Sequence, residues 1–104
     1  MLIKLISEKE LPKKGETVKV YECLGYQIKE ITNNKWNFIT LSIESEKKYN
    51  PSIIVKEDLD DGKILEFKIQ TTSYGSLEPN KIEKIVEGYQ TALKVVNELE
   101  KKYL

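Results

Sequence analysis

The residues best suited to metal chemistry in this sequence are those of the acidic segment 57–62, which reads Glu-Asp-Leu-Asp-Asp-Gly. Carboxylates placed before a glycine are typical of calcium-binding loops. If Gly62 is the sixth residue of such a loop, Leu59 is the third and Lys68 the twelfth, and both positions require ligand oxygens. We therefore predict a solvated hairpin turn at this segment and no metal site.

Nucleophilic and acid–base chemistry has equally little support. Cys23 is the single cysteine, and the chain has no histidine to activate it. All 17 basic residues are lysines, so arginine, the usual bidentate reader of phosphate and guanine, is also missing. Gly75 and Ser76 lack the glycine spacing of phosphate-binding loops. The sequence predicts a non-enzymatic protein without a cofactor, in which Cys23 is a small half-buried residue.

Length and composition predict one globular domain over residues 1–104, with 39% hydrophobic and 33% charged residues. No apolar run approaches the roughly 18 residues of a membrane span, so we expect a cytoplasmic protein with no membrane partner. Seventeen acidic residues balance the lysines, which leaves no net field to attract a polyanion. A small neutral protein rich in Lys, Glu, Asn and Ile is typical of phages and mobile elements of low-GC bacteria, where it would act as an inhibitor or adaptor.

A first β-hairpin is predicted from alternating runs at 17–31 and 36–44. Asn33 and Asn34 suit a two-residue turn because asparagine tolerates positive φ. Gly25 then marks a bulge or a bend within the first strand. The predicted register pairs apolar residues on one face: Leu24 with Ile43, Tyr26 with Leu41, and Ile28 with Ile39.

A second hairpin is predicted between residues 52–58 and 63–71, joined by the loop 60–62. A three-residue loop with Gly62 in the left-handed conformation sets apolar residues opposite each other. The pairs are Val55 with Phe67 and Ile53 with Ile69.

One long helix is predicted over residues 76–103, with Ser76 as N-cap and Glu78 in the first turn. Apolar residues at three- and four-residue spacing predict the stripe that packs on the sheet. Its members are Ile82, Ile85, Val86, Tyr89, Leu93, Val96 and Tyr103.

A flank of smaller residues runs beside that stripe and consists of Gly88, Ala92 and Val95. The helix, at about 37 Å, would exceed strands of about 30 Å. We therefore predict that this flank allows two copies to associate through their helices, giving a homodimer. The alternative is that it packs against the N-terminal segment.

These elements predict an α+β fold. Two hairpins within residues 17–72 build an antiparallel sheet of four or five strands, and the C-terminal helix packs across one face. Residues 1–16 supply an edge strand or a docked segment.

The predicted register leaves aromatic area on the sheet face away from the helix. There Ile31 lies opposite Trp36 and Lys29 opposite Phe38, and Tyr21 belongs to the same candidate interface. Trp and Tyr are favoured anchors in interfaces, so the leading hypothesis is a protein–protein interaction with a still unidentified protein partner. In the alternative, the N-terminal segment folds beneath the sheet and buries these residues.

A second hypothesis is single-stranded nucleic-acid binding by the sheet face of a helix-paired dimer. An antiparallel sheet with interleaved lysines and aromatics, followed by a C-terminal helix, resembles in architecture the positive cofactor 4-like family of dimeric single-strand binders. That resemblance implies a sheet that holds the strand and helices that pair. The interleaved lysines and aromatics are Tyr21, Lys29, Trp36, Phe38, Lys56 and Lys68, and no residue role is carried over from the family.

Overall fold

The computed structural model describes residues 2–104, which form six strands followed by one helix. Strands β1 to β4 make a four-stranded antiparallel sheet in chain order, while β5 and β6 form a separate two-stranded sheet. The predicted α+β fold, with an antiparallel sheet and a long helix packed against it, is confirmed. The elements are β1 (Lys4–Leu11), β2 (Glu16–Cys23), β3 (Tyr26–Asn33), β4 (Phe38–Ser45), β5 (Ile53–Glu57), β6 (Ile64–Ile69) and α1 (Pro79–Tyr103).

The first strand of the predicted first hairpin is in fact two strands. Leu24 and Gly25 have φ values of 48° and 88°, and they form a two-residue turn between β2 and β3, where Cys23 pairs with Tyr26. Positive φ at both central residues suits the twist of a tight hairpin. The prediction of one strand with a bulge or bend at Gly25 was therefore wrong. The turn was missed because leucine rarely adopts positive φ.

The β3–β4 hairpin has the predicted faces but a different register. Ile28 lies opposite Ile43 and not Ile39, a shift of four residues, because the connection spans residues 34–37. The two-residue turn predicted at Asn33 and Asn34 is therefore wrong. A shift by an even number of residues leaves every side chain on its face, so the apolar residues still share one side of the sheet.

The β5–β6 hairpin has the register predicted for it. Val55 lies opposite Phe67 and Ile53 opposite Ile69, and Gly62 has the expected positive φ of 71°. At the other end of the chain, β1 pairs antiparallel with β2. The N-terminal segment is thus an edge strand, and it does not fold beneath the sheet.

The hydrophobic core lies between one face of the four-stranded sheet, the β5–β6 hairpin and α1. Tyr26, Ile28, Cys23, Val95 and Leu99 are its largest fully buried side chains. Among the described residues, the hydrophobic core cluster consists of Tyr21, Cys23, Tyr26, Ile28, Leu41, Ile53, Phe67, Ala92, Val95 and Leu99.

Helix α1 begins at Pro79, with Glu78 as N-cap and no capping hydrogen bond from a side chain. The predicted capping role of Ser76 is therefore wrong, whereas proline at the first helical position agrees with its lack of an N–H donor. Within residues 2–104, α1 lacks the long apolar run that a membrane-crossing helix requires.

The helix is rotated relative to the prediction. Its buried residues are Gly88, Ala92, Val95 and Leu99, which we call the small-residue face. Leu93, placed in the buried stripe by the sequence, is 56% exposed. The small-residue face packs inside the protein's own core, so the predicted self-association through Gly88, Ala92 and Val95 is wrong.

Gly88 explains the rotation. A Cβ atom at this position would lie 2.8 Å from the carbonyl carbon of Tyr49, in the segment that connects β4 to β5. Such a contact is shorter than side chains tolerate, so a glycine is required where the helix backbone meets that segment. Close backbone approach, rather than the width of the apolar stripe, thus selects the face that α1 buries.

Candidate interaction site

Trp36 is the most prominent exposed aromatic residue of the protein. It lies in the four-residue β3–β4 loop and is 61% exposed, and the Nζ atom of Lys35 sits 5.1 Å from its ring centroid. The sequence predicted exposure of this residue on the outer face of the sheet, opposite Ile31. The alternative, burial beneath the N-terminal segment, does not occur, and Trp36 is exposed in the loop at the end of the sheet.

The loop that carries Trp36 is held in place by hydrogen bonds. The side-chain oxygen of Asn33 accepts the backbone N–H groups of Lys35 and Trp36 at 3.0 and 3.1 Å. Asn37 has a φ of 55° and donates its N–H to the carbonyl of Asn33 at 2.7 Å. These bonds fix the backbone on both sides of Trp36, which limits the conformational entropy that a partner would have to freeze.

A further pair of contacts ties the same loop to the β1–β2 turn. The backbone N–H of Asn34 donates to the carbonyl of Gly15 at 2.8 Å. The hydroxyl of Thr17 donates to the side-chain oxygen of Asn34 at 3.1 Å. The loop is therefore held by the β1–β2 turn and by β2, in addition to the hydrogen bonds within the loop.

Phe38, at the start of β4, contacts the β5–β6 turn. A Cβ atom at Gly62 would lie 2.7 Å from the Cγ atom of its ring, so the ring rests directly on the glycine backbone. Phe38 remains 39% exposed despite this contact. Leu59, in the same turn as Gly62, is 95% exposed.

An open cleft of about 540 Å³ lies where these segments meet the end of α1. We call the region formed by residues 34–38, the turn 58–63 and this cleft the tryptophan end. The cleft is lined by Asn37, Ile39, Asp61, Gly62, Lys63, Ile64, Tyr103 and Leu104. Its two charged side chains have opposite signs, so it has no electrostatic preference for an anion or a cation.

The outer face of the four-stranded sheet, opposite α1, holds two further predicted residues. Ile31 pairs with Val18 and Thr40 and is partly buried, while Lys29 pairs with Val20 and is exposed. The predicted partners of both, Trp36 and Phe38, are displaced by the four-residue shift in register. Phe38 is instead the diagonal neighbour of Ile31, within reach of a large side chain.

Tyr21 does not belong to this surface. The turn at Leu24 and Gly25 reverses the chain, so that Tyr21 lies opposite Ile28 on the core face and is buried. The Nζ atom of Lys102 on α1 lies 4.5 Å from its ring centroid. Tyr21 was predicted to be an interface residue because residues 17–31 were predicted to form one continuous β-strand. That prediction is wrong.

Burial raises the pKa of the single thiol and of the Tyr103 hydroxyl. Cys23 is fully buried and not half-buried as predicted, because the turn after it places it on the core face. Burial, with smaller contributions from Glu98 and Glu22, raises the pKa of its thiol to about 11. A thiol with so high a pKa is a poor nucleophile near neutral pH. Burial also raises the pKa of Tyr103, whose hydroxyl donates to the buried carboxylate of Glu30 at 2.7 Å.

The acidic segment stabilises its own turn. The carboxylate of Asp58 accepts the N–H of Asp60, and that of Asp61 accepts the N–H of Lys63, both at 2.9 Å. Within the part of the chain that the structure describes, no three His, Cys, Asp or Glu side chains are grouped so as to hold a metal ion.

Sequence reasoning missed the cleft and the exposed stripe of α1. The cleft depends on contact between the β5–β6 turn and the start of β4. In the sequence, Gly62 indicates a turn but does not indicate that this turn contacts β4.

Comparisons with protein-family models, with curated proteins and with solved structures find no match to this chain.

Proposed function

We propose that this protein is a non-enzymatic binding protein that docks another protein at the tryptophan end. The observation that carries the proposal is a tryptophan 61% exposed on a loop whose backbone is fixed by hydrogen bonds. Large aromatic side chains left in water are unfavourable, and tryptophan is among the residues most enriched at the centres of interfaces.

The surroundings of Trp36 favour a protein surface over a small molecule as the ligand. Phe38, at the start of β4, and Leu59, in the β5–β6 turn, add exposed apolar area, while the cleft beside them is open and nearly neutral. Small-molecule sites are usually enclosed and contain a few convergent polar groups. An open apolar region with a cleft is better suited to one or two anchoring side chains from a protein partner.

Single-stranded nucleic acid fits this surface less well. A stacking platform needs aromatic rings spaced along the sheet, together with free cations that follow the strand. Tyr21 is instead buried, and Lys56 and Lys68 both lie within 4 Å of Glu66. The protein-partner hypothesis therefore accounts for more of the exposed residues.

The proposal is tested by site-specific photocrosslinking in the native host. A photoreactive amino acid at position 36 should yield a discrete crosslinked protein, whereas the same amino acid at Ile54, also exposed but at the other end of its hairpin, should not. The identified partner should then bind a Trp36→Ala variant at least about tenfold more weakly than wild type. The Trp36→Phe variant should retain part of the affinity, because it keeps an aromatic anchor.

Two outcomes would contradict the proposal. Equal crosslinking at positions 36 and 54 would show that the tryptophan end is not selective. Quenching of Trp36 fluorescence by oligo-dT, weakening as salt concentration rises, would favour the nucleic-acid alternative.

A further inference from the structure

Helix α1 has a second apolar face beside the small-residue face, and this second face is exposed over most of its length. Its members follow a spacing of four, three, four and three residues, and three of them are exposed: Ile82 and Val86 at 49% each and Leu93 at 56%. Tyr89 and Val96 complete the series and are partly buried beside the core. We call these five residues the exposed seam.

This spacing is the one that lets two helices pack along their length. Apolar residues recurring every 3.5 positions on average form the seam of a coiled coil. From Ile82 to Val96 the seam extends over about 21 Å at 1.5 Å per residue. At 3.6 residues per turn, its centre lies roughly a third of the circumference from that of the small-residue face. The two faces can therefore pack simultaneously, one on the sheet and the other on a second helix.

The charges on the solvent side of the seam are unequally distributed along the helix. Glu83 and Glu87 lie in the N-terminal half, whereas Lys94 and Lys101 lie in the C-terminal half, and all four are exposed. Two copies in parallel would place like charges side by side. Two antiparallel copies would place each acidic half beside a basic half, since reversal of the helix exchanges the signs.

We propose that the exposed seam binds the seam of a second copy of this chain, antiparallel, about a two-fold axis near Tyr89. A two-fold interface must be self-complementary, and the seam satisfies this condition in the spacing of its apolar residues and in its charges. In this arrangement Val86 lies opposite Leu93 of the partner subunit. The inference goes beyond the proposed function, because it uses a different surface and does not require the tryptophan end.

The expected dimer is weak. A seam of this length buries less than the roughly 1,200 Å² at the lower limit of stable interfaces. Association should therefore depend on protein concentration, and it should weaken with salt because the flanking charges are solvent-exposed.

Sedimentation equilibrium on the full chain tests the seam, from about 10 μM to about 1 mM, the range in which weak interfaces dissociate. Wild type should show a monomer–dimer equilibrium. Leu93→Lys should weaken it at least about tenfold, since a lysine replaces a central apolar contact. The matched control Ile54→Lys, at an equally exposed residue away from the seam, should leave it unchanged. No association of the wild type at 1 mM, or equal association of Leu93→Lys, would overturn the proposal.

Charge exchange tests the antiparallel arrangement. Glu83→Lys and Lys94→Glu should each weaken self-association several-fold, because each creates like charges across the two-fold axis. An equimolar mixture of the two variants should recover most of the wild-type affinity, since positions 83 and 94 then have opposite signs in both pairs across the axis. Single variants that associate as wild type does would overturn the antiparallel arrangement. Circular dichroism and thermal unfolding should be unchanged in all variants, because the altered residues are exposed.

Discussion

The small-residue face of α1 buries small side chains, whereas the tryptophan end exposes a large one. Gly88 and Ala92 are buried, while Trp36, the largest residue of the chain, projects from a loop. Gly88 is buried because the helix backbone must approach Tyr49 closely, and Trp36 is exposed because Asn33 fixes the loop around it. In this protein the backbone path, more than the hydrophobicity of a residue, decides which side chains reach the core.

Of the substitutions that test this contrast, Leu99→Ala should reduce the stability of the fold most. This side chain is fully buried on the small-residue face, so Leu99→Ala removes its apolar contacts and leaves a cavity. We expect the free energy of unfolding to fall by about 2 to 5 kcal/mol. Urea denaturation followed by circular dichroism measures this change, and a loss below about 1 kcal/mol would show that α1 does not bury this face.

Substitution of Gly88 by alanine should give the next largest loss of stability, although helix propensity alone would predict a gain. Alanine is favoured over glycine in a helix by about 1 kcal/mol, so an unconstrained site would be stabilised by Gly88→Ala. Here the added methyl group meets the backbone at Tyr49, and we expect a loss of about 1 to 3 kcal/mol. Gln90→Ala, at an exposed helical position, is the control and should change stability by less than about 0.5 kcal/mol. Stabilisation by Gly88→Ala would contradict the close approach.

Truncation of Leu93 should lower the free energy of unfolding less than the substitutions at Leu99 and Gly88. The sequence alone places it in the buried stripe, where truncation would cost about 2 to 5 kcal/mol. Because it is more than half exposed, we expect Leu93→Ala to lower the free energy of unfolding by less than about 1 kcal/mol in the dilute monomer. The same denaturation experiment, at a protein concentration too low for dimerisation, measures it. A loss equal to that of Leu99→Ala would reverse the assignment of the two helix faces.

Trp36 should have the smallest effect on stability. Its ring contributes little to the core, so Trp36→Ala should change the free energy of unfolding by less than about 0.5 kcal/mol while weakening partner binding. Thermal unfolding of the variant checks the first part. A loss of about 3 kcal/mol would place the ring in the core and remove the basis of the proposed interface.

The parts of the fold that were predicted correctly depend on local signals. Gly62 with an acidic loop specifies the β5–β6 turn, and alternation of apolar residues specifies the faces of β3 and β4. The missed turn has no such signal, because Leu24 adopts a positive φ that its sequence does not favour. That one turn reversed the face assigned to Tyr21.

The face of α1 buried in the core could not be predicted from periodicity. Apolar residues extend around more than half of the helix, so two adjacent faces fit the pattern equally well. The choice depends on the contact between Gly88 and the β4–β5 connection, which is distant in sequence. Likewise, the pattern placed Trp36 away from the helix but left open whether the N-terminal segment buries it. Its loop position depends on hydrogen bonds that the Asn33 side chain accepts.

The most direct test of the exposed tryptophan end is the fluorescence of the native protein, because Trp36 is the only tryptophan. We predict an emission maximum close to that of the urea-unfolded chain and efficient quenching by acrylamide, measured at a concentration at which the protein is monomeric. Native emission shifted strongly to shorter wavelength, together with protection from acrylamide, would place Trp36 in an apolar interior and contradict the account.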